Sequence, residues 1–140
     1  MIRHVTPVRV RYADTDQMKV AYYGKFFEYF EQGRSDLLRS IGLPYPEIEE
    51  MGLHLPVIEA HATYKLPARY DDLINVVTYL RQPPVARVRL DYEVFREGDT
   101  EVLAEGYTIH SFVNATTGRP TRAPAQFLET LQHAMNGTKA

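Results

Sequence analysis

Phe26, Phe27, Phe30, Gly33, Leu37, Leu38 and Ile41 recur at spacings of three and four residues. They therefore fall on one stripe of a helix running from about Val20 or Tyr22 to Ile41. Glu28, Glu31, Gln32, Arg34, Asp36 and Arg39 occupy much of the remaining surface. Gly42 stands where a left-handed C-cap is wanted, Arg39 complements the carboxyl end of the dipole, and Pro44 stops any continuation. A helix this long, with rings this large, needs a broad surface to cover its stripe. Gly33 within the stripe costs about 1 kcal/mol relative to Ala in an exposed helix. Its presence predicts the close approach of another backbone, that of a sheet.

The rest of the chain supplies that sheet. Val8, Val10 and Tyr12 alternate with Arg9 and Arg11, the period-two pattern of a half-buried strand ended by the polar turn Ala13 to Gln17. After the helix, a short helical turn is predicted around Glu47 to Met51, then strands over Leu55–Leu66, Leu73–Arg81, Arg87–Glu93 and Glu101–Val113. Ile74, Val76, Thr78 and Leu80 share one face, as do Val88, Leu90, Tyr92 and Val94. Pro83-Pro84 and Gly98-Asp99 break the runs, and a final helix extends from about Pro124 through Met135. One strand, one long helix, four strands and a short helix predict an α+β fold, with an antiparallel sheet around the helix. Tyr and polar residues on the far side of that helix predict a second copy as its partner.

Composition then narrows the chemistry. The 140 residues fit one domain, residues 1–140, with a real core. No cysteine is present, which removes disulfides, thiolate metal sites and a cysteine nucleophile. Sixteen basic and eighteen acidic residues give no general attraction to nucleic acid or anionic membrane. No apolar run approaches the roughly eighteen residues that span a bilayer, and Met1 to Pro7 has no signal-peptide pattern, so a cytoplasmic location is expected. His4, His54, His61, His110 and His133 lack metal-ligand spacing and read as surface or hydrogen-bonded strand residues. No Gly-rich phosphate loop and no serine-nucleophile elbow occur.

Two carboxylates, Asp14 and Asp16, lie between the first strand and the aromatic helix. On composition alone they are turn and capping residues, worth about 1 kcal/mol each. However, Gln17 to Ala21 intervenes, forming a loop that holds a carboxylate over a helix start, where free N–H groups and the positive dipole end collect. That arrangement sets a nucleophile or general base beside oxyanion donors.

The run RVRYADTDQMKVAYYGKFFEYFEQGR, residues 9 to 34, resembles the signature of hotdog-fold acyl-CoA thioesterases of the 4-hydroxybenzoyl-CoA thioesterase type, most nearly their Tol–Pal-associated branch. A second block, ATYKLPARYDDLINVVTYL, residues 62 to 80, extends the resemblance through Pro67, Tyr70, Asp71 and Asp72. The resemblance implies a sheet wrapped around one long central helix and hydrolysis of an acyl-CoA to a carboxylic acid and free CoA. Asp16 would be the catalytic carboxylate, acting directly or through water, and the backbone N–H of Tyr23 would polarise the thioester carbonyl. No metal or bound cofactor is implied, and the active site would lie between protomers of a homodimer or homotetramer. The alternative within the same fold is a module that binds acyl-CoA or acyl-carrier protein without hydrolysing it.

Lys65, Arg87 and Arg89 are the cations assigned to the substrate's phosphates, and Phe26 is assigned to the acyl pocket. Glu31 and Arg34 also match the first block, and their spacing permits an ion pair on the helix face or at the dimer interface. Asp71 and Asp72 read as turn organisers, while Glu59 and His61 are weaker pocket residues. Two positions depart from the family pattern: Lys19 stands where Gly is common, and Tyr23 where this branch often has His.

Overall fold

The alternating segments form strands, and the computed structural model describes residues 1–137. In chain order the elements are β1 (Ile2–Arg9), α1 (Lys25–Ser40), α2 (Tyr45–Glu50), β2 (Leu53–His54), β3 (Val57–Tyr64), β4 (Leu73–Leu80), β5 (Arg87–Arg96), β6 (Val102–Ser111), β7 (Val113–Asn114) and α3 (Ala125–Gly137). Five strands pair antiparallel in the order β1-β4-β5-β6-β3, while β2 and β7 make a small separate pair. This is the α+β hotdog arrangement expected from the sequence. Among the described residues, no helix is long and apolar enough to cross a membrane.

The inner face of the sheet carries the residues that the alternation selects. Ile74, Val76, Thr78 and Leu80 of β4 and Val88, Leu90, Tyr92 and Val94 of β5 are all buried. Phe26, Phe30, Gly33 and Leu37 of α1 meet them. Gly33 is needed for this approach, because a methyl at its Cα would lie 2.5 Å from Thr78 Oγ1 and 2.8 Å from Val76 Cγ1. The helix therefore rests on side chains of β4 rather than on strand backbone.

Two boundaries differ from expectation. β1 begins at Ile2, since polar His4 and Thr6 face the core at positions where an apolar alternation would be sought, and it ends before Tyr12, which is exposed in a one-turn 3-10 segment. α1 begins at Lys25, not at Val20 or Tyr22. Residues 20 to 22 are held in backbone pairing with Thr15, Arg69 and Asp14, so their apolar character serves a loop. At the other end Gly42 adopts φ +87°, the left-handed conformation expected of it.

β3 closes one edge of the sheet, with no strand beyond it among the described residues. Val57, Ile58 and Tyr64 are 44, 47 and 38% exposed. An edge strand exposing apolar side chains and unpaired backbone groups is a surface suited to another strand.

Candidate active site

Asp14 and Asp16 part company in the structure. Asp14 is buried, its Oδ2 accepting the Arg11 N–H at 3.0 Å and the Tyr29 hydroxyl at 3.1 Å, while Arg11 Nη2 bonds Oδ1 at 3.0 Å. Burial alone would raise its pKa, but the bonds from Arg11 and Tyr29 together outweigh that and hold the carboxyl below its ordinary value. The same burial, with the Asp14 charge beside it, pushes the Tyr29 hydroxyl up. Asp14 is thus an anchor joining the loop to α1. Its signal in sequence is only the Arg11-x-x-Asp14 spacing.

Asp16 is exposed on the hairpin that Asp14 anchors. Tyr22 N–H bonds Asp14 O at 2.9 Å, Thr15 bridges Ala21, and Asp16 N–H bonds Val20 O at 3.0 Å. The Asp16 carboxylate accepts the Met18 N–H on Oδ1 at 2.8 Å, which leaves Oδ2 without a hydrogen bond among the described residues. The turn and catalytic readings of this residue are therefore compatible, with one oxygen shaping the turn and the other facing outward.

Lys19 closes the same turn, its N–H bonding Asp16 O at 2.9 Å, and adopts φ +65°. This conformation explains why the family favours Gly there: an L side chain costs about 1–2 kcal/mol in the left-handed region. Lys19→Gly is expected to stabilise the chain by about 0.5–1 kcal/mol after the added flexibility of the unfolded state is subtracted. Denaturant unfolding checks this, and a rise in KM for a CoA ester would show that the ammonium also meets substrate.

A second loop holds the hairpin's other arm. Ala21 N–H bonds Ala68 O at 2.7 Å and Val20 bridges Arg69. That loop is in turn clamped by Asp72, whose Oδ2 accepts the Arg69 N–H at 2.8 Å and the Arg96 Nε–H at 3.1 Å, and by Arg96 Nη2 on Pro67 O at 3.1 Å. Asp72 organises the turn as expected. Arg96, far along the chain, carries no sequence signal of this task.

Past the hairpin, Tyr23 and Gly24 lead into α1 without a side-chain cap. Lys25 N–H bonds Tyr22 O at 2.9 Å and Phe26 N–H bonds Tyr23 O at 3.2 Å, while the N–H groups of Tyr23 and Gly24 meet no acceptor among the described residues. Uncapped donors at the positive end of a helix dipole suit a developing oxyanion. Tyr64 donates its hydroxyl to Tyr23 O at 3.0 Å, and its ring lies against the Tyr23 ring at a tilt of 42°, 4.8 Å between centroids. Phe26 is buried with its ring edge-on to Tyr64 at 5.4 Å.

Asp16, Tyr23, Phe26 and, through its neighbour Tyr64, Lys65 thus gather at one end of the molecule. Lys65 pairs with Glu105 at 3.2 Å. Arg87 and Arg89 lie at the other end, on the outer sheet face. Arg89 is seven positions from Arg96 along β5, about 23 Å at the rise of a strand. There Arg89 bonds Asp91 at 3.2 Å and covers the Tyr107 ring at 4.0 Å, and with Arg81 and Arg87 it lines a cleft of about 380 Å³. His61 stacks on Tyr107 and Glu59 accepts the Tyr107 hydroxyl at 2.6 Å, on the outer face as well. Glu31 and Arg34 form no ion pair; Arg34 bears instead on the Tyr92 hydroxyl. Among the described residues, no group of three His, Asp or Glu side chains could hold a metal ion.

One buried polar chain crosses the sheet beneath the helix. Tyr92 Oη and Thr108 Oγ1 lie 2.6 Å apart, Thr108 Oγ1 and His110 Nε2 2.9 Å, and His110 Nδ1 and Leu55 O 3.1 Å. Leu55 O can only accept, so Nδ1 carries the proton, Nε2 accepts from Thr108, and Thr108 accepts from Tyr92. Burial pushes the His110 imidazole below its ordinary value; the Leu55 bond opposes this and the Arg34 charge adds to it. Above pH about 6.5 the ring is neutral in both folded and unfolded chains. As pH falls below that, the unfolded chain binds the proton first, so stability drops toward the lowered folded value by at most about 1.4 kcal/mol per pH unit. Melting temperature followed from pH 7 to pH 5 should show this slope, and His110→Gln should flatten it.

The thioesterase-like superfamily model matches residues 10–131 of the chain. The acyl-CoA thioesterase YbgC of Haemophilus influenzae is 27% identical over 128 residues, covering 91% of this chain and 93% of that one. A hypothetical protein of Thermus thermophilus, TT1821, has a crystal structure that superposes with a TM-score of 0.85 at 35% identity, over 95% of this chain and 98% of that one. The DHNA-CoA thioesterase of Staphylococcus aureus superposes with a TM-score of 0.87 at 28% identity, covering 99% and 92%.

Proposed function

The chain belongs to the thioesterase-like superfamily and is a thioester hydrolase, and on that premise we propose that it cleaves acyl-CoA, with Asp16 and the uncapped start of α1 as its catalytic parts. The observation that carries this reading is a single hairpin with two ends. One turn presents the free Oδ2 of Asp16, and the other arm runs directly into the unbonded N–H groups of Tyr23 and Gly24. The thioester carbonyl accepts from those N–H groups. Asp16 then either attacks the carbonyl carbon, giving a mixed anhydride that water afterwards hydrolyses to free the Asp16 carboxylate, or takes the proton of a water that attacks the carbonyl directly. The C–S bond breaks, the CoA sulfur leaves as a thiol once protonated, and water supplies the new carboxyl oxygen. A thiolate is a good leaving group, so a carboxylate with a preorganised dipole suffices where an amide would demand a proton donor.

The functional unit is a homodimer paired through β3. Antiparallel pairing of that edge with its copy sets one protomer's Val57 end beside the partner's Tyr64 end. Arg87 pairs with Ser111, next to His110, which pairs with Val57. The arginine cleft of one protomer is therefore carried toward Asp16 of the other, where CoA phosphates would need it.

Release of free thiol from a panel of aliphatic and aromatic acyl-CoA esters tests this function. Turnover of at least one ester at well above the uncatalysed rate is expected. Saturable binding of the esters without thiol release would replace the enzyme with a binding module.

A further inference from the structure

Tyr64 is the last residue of β3, and its hydroxyl donates to Tyr23 O at 3.0 Å. That oxygen also accepts the Phe26 N–H, at a longer 3.2 Å. The same carbonyl shares a peptide plane with the Gly24 N–H, which meets no acceptor among the described residues. A trans peptide is planar, with its C=O and N–H pointing opposite ways. A bond that fixes the oxygen therefore fixes the direction of the N–H as well.

This plane lies where little else restrains it. Gly24 has no side chain to limit rotation of the peptide before it, and α1 has no side-chain cap to lock its first turn. Tyr64 reaches it from a fixed base. The residue pairs with Ala104 of β6, and the next two N–H groups, of Lys65 and Leu66, both bond Leu103 O, at 2.9 and 3.0 Å. Its ring packs against those of Tyr23 and Phe26, with centroids 4.8 and 5.4 Å away. Burial raises the Tyr64 hydroxyl above its ordinary value, and the neighbouring Tyr22 and Tyr23 add to the shift. The group therefore stays protonated, and a donor, through neutral and mildly alkaline pH.

We propose that Tyr64 is a positioning residue for the oxyanion site, its hydroxyl holding the Tyr23–Gly24 peptide so that the Gly24 N–H, beside that of Tyr23, is aimed at the thioester oxygen. This rests on the thioesterase reading above and names the side chain that keeps its donors in place. A hydrogen bond at the carbonyl end of a peptide also polarises it, which makes the N–H at the other end a stronger donor. Tyr64 touches no reacting atom in this scheme. It acts through the backbone.

Tyr64→Phe removes the hydroxyl and keeps the ring. For an ester that the wild type hydrolyses, kcat should fall about three- to tenfold, with KM within about twofold of wild type. Tm should stay within about 2 °C. A second readout is one that a merely structural role would not move: the carbonyl stretch of a bound ketone analogue in which a methylene replaces the thioester sulfur. Binding to the wild-type chain should shift that band to lower frequency, because the N–H donors polarise the C=O, and Tyr64→Phe should lessen the shift. Unchanged kcat, a loss carried by KM alone, or an equal band shift in the two chains overturns the proposal. In each of those cases thiol release by the wild type still upholds the thioesterase reading, whereas no thiol release from any ester overturns both.

Discussion

Asp16→Asn is expected to lower kcat by about 10³-fold while leaving thermal stability within about 0.5 kcal/mol of wild type. The two halves of that expectation come from the two oxygens. Asn retains an Oδ1 that accepts the Met18 N–H, so the turn from Asp16 to Lys19 keeps its bond. What is lost is the negative oxygen facing outward, the atom that would attack or draw a proton. Asp14→Asn is the control, because it disturbs three bonds around a buried carboxylate and should lower stability first. Near wild-type turnover in Asp16→Asn would falsify the catalytic assignment. The same variant tests the shared site. Arg87 has no ion-pair partner among the described residues, so Arg87→Glu should weaken substrate binding without unfolding the chain. Mixed dimers of Asp16→Asn and Arg87→Glu chains contain one site with both native residues if the arginine comes from the partner. Activity should therefore reappear on mixing. No recovery would show that each protomer keeps its own site.

Much of this fold could be read from periodicity. The inner faces of β4 and β5 follow the alternation, with Thr78 the one polar side chain among the eight positions it selects, besides the Tyr92 hydroxyl. Gly42 pointed to a left-handed cap, which is found, whereas Gly33 pointed to a neighbouring backbone and meets the side chains of Thr78 and Val76 instead. The start of α1 was not legible, since Val20 to Tyr22 look like helix and are spent on pairing with Thr15, Arg69 and Asp14. For the site, the motif located Asp16 and Tyr23 but not what holds them. Arg96 and Asp72 clamp the loop on which Val20 and Ala21 lean, across contacts that no local pattern reports. The separation of Arg87 and Arg89 from Asp16 was likewise hidden. It depends on which way β5 runs, and only the sheet order decides that.

Gly106→Ala is expected to destabilise the chain by about 3 kcal/mol, lowering the melting temperature by roughly 10 °C. Gly106 lies between Tyr92 on β5 and Ala62 on β3, in the middle of the sheet. A methyl there would stand 2.9 and 3.1 Å from the Phe30 ring and would overlap the carbonyl oxygen of His61. Phe30 cannot retreat, because its other neighbour is Tyr92, stacked at 4.3 Å with the rings only 8° from parallel. Nor can His61 O move alone, since β3 is fixed to β6 residue by residue from Glu59 to Tyr64. Phe30→Leu in the same background separates the two obstacles. If the backbone contact dominates, the double variant stays as unstable as Gly106→Ala; recovery of most of the lost stability would place the cost on the ring instead. The backbone outcome has a functional corollary. Displacing β3 shifts the edge proposed to pair with a second copy, so Gly106→Ala should also raise the concentration at which sedimentation detects dimer. A variant that loses stability yet dimerises as tightly as wild type would show that the pairing surface lies elsewhere.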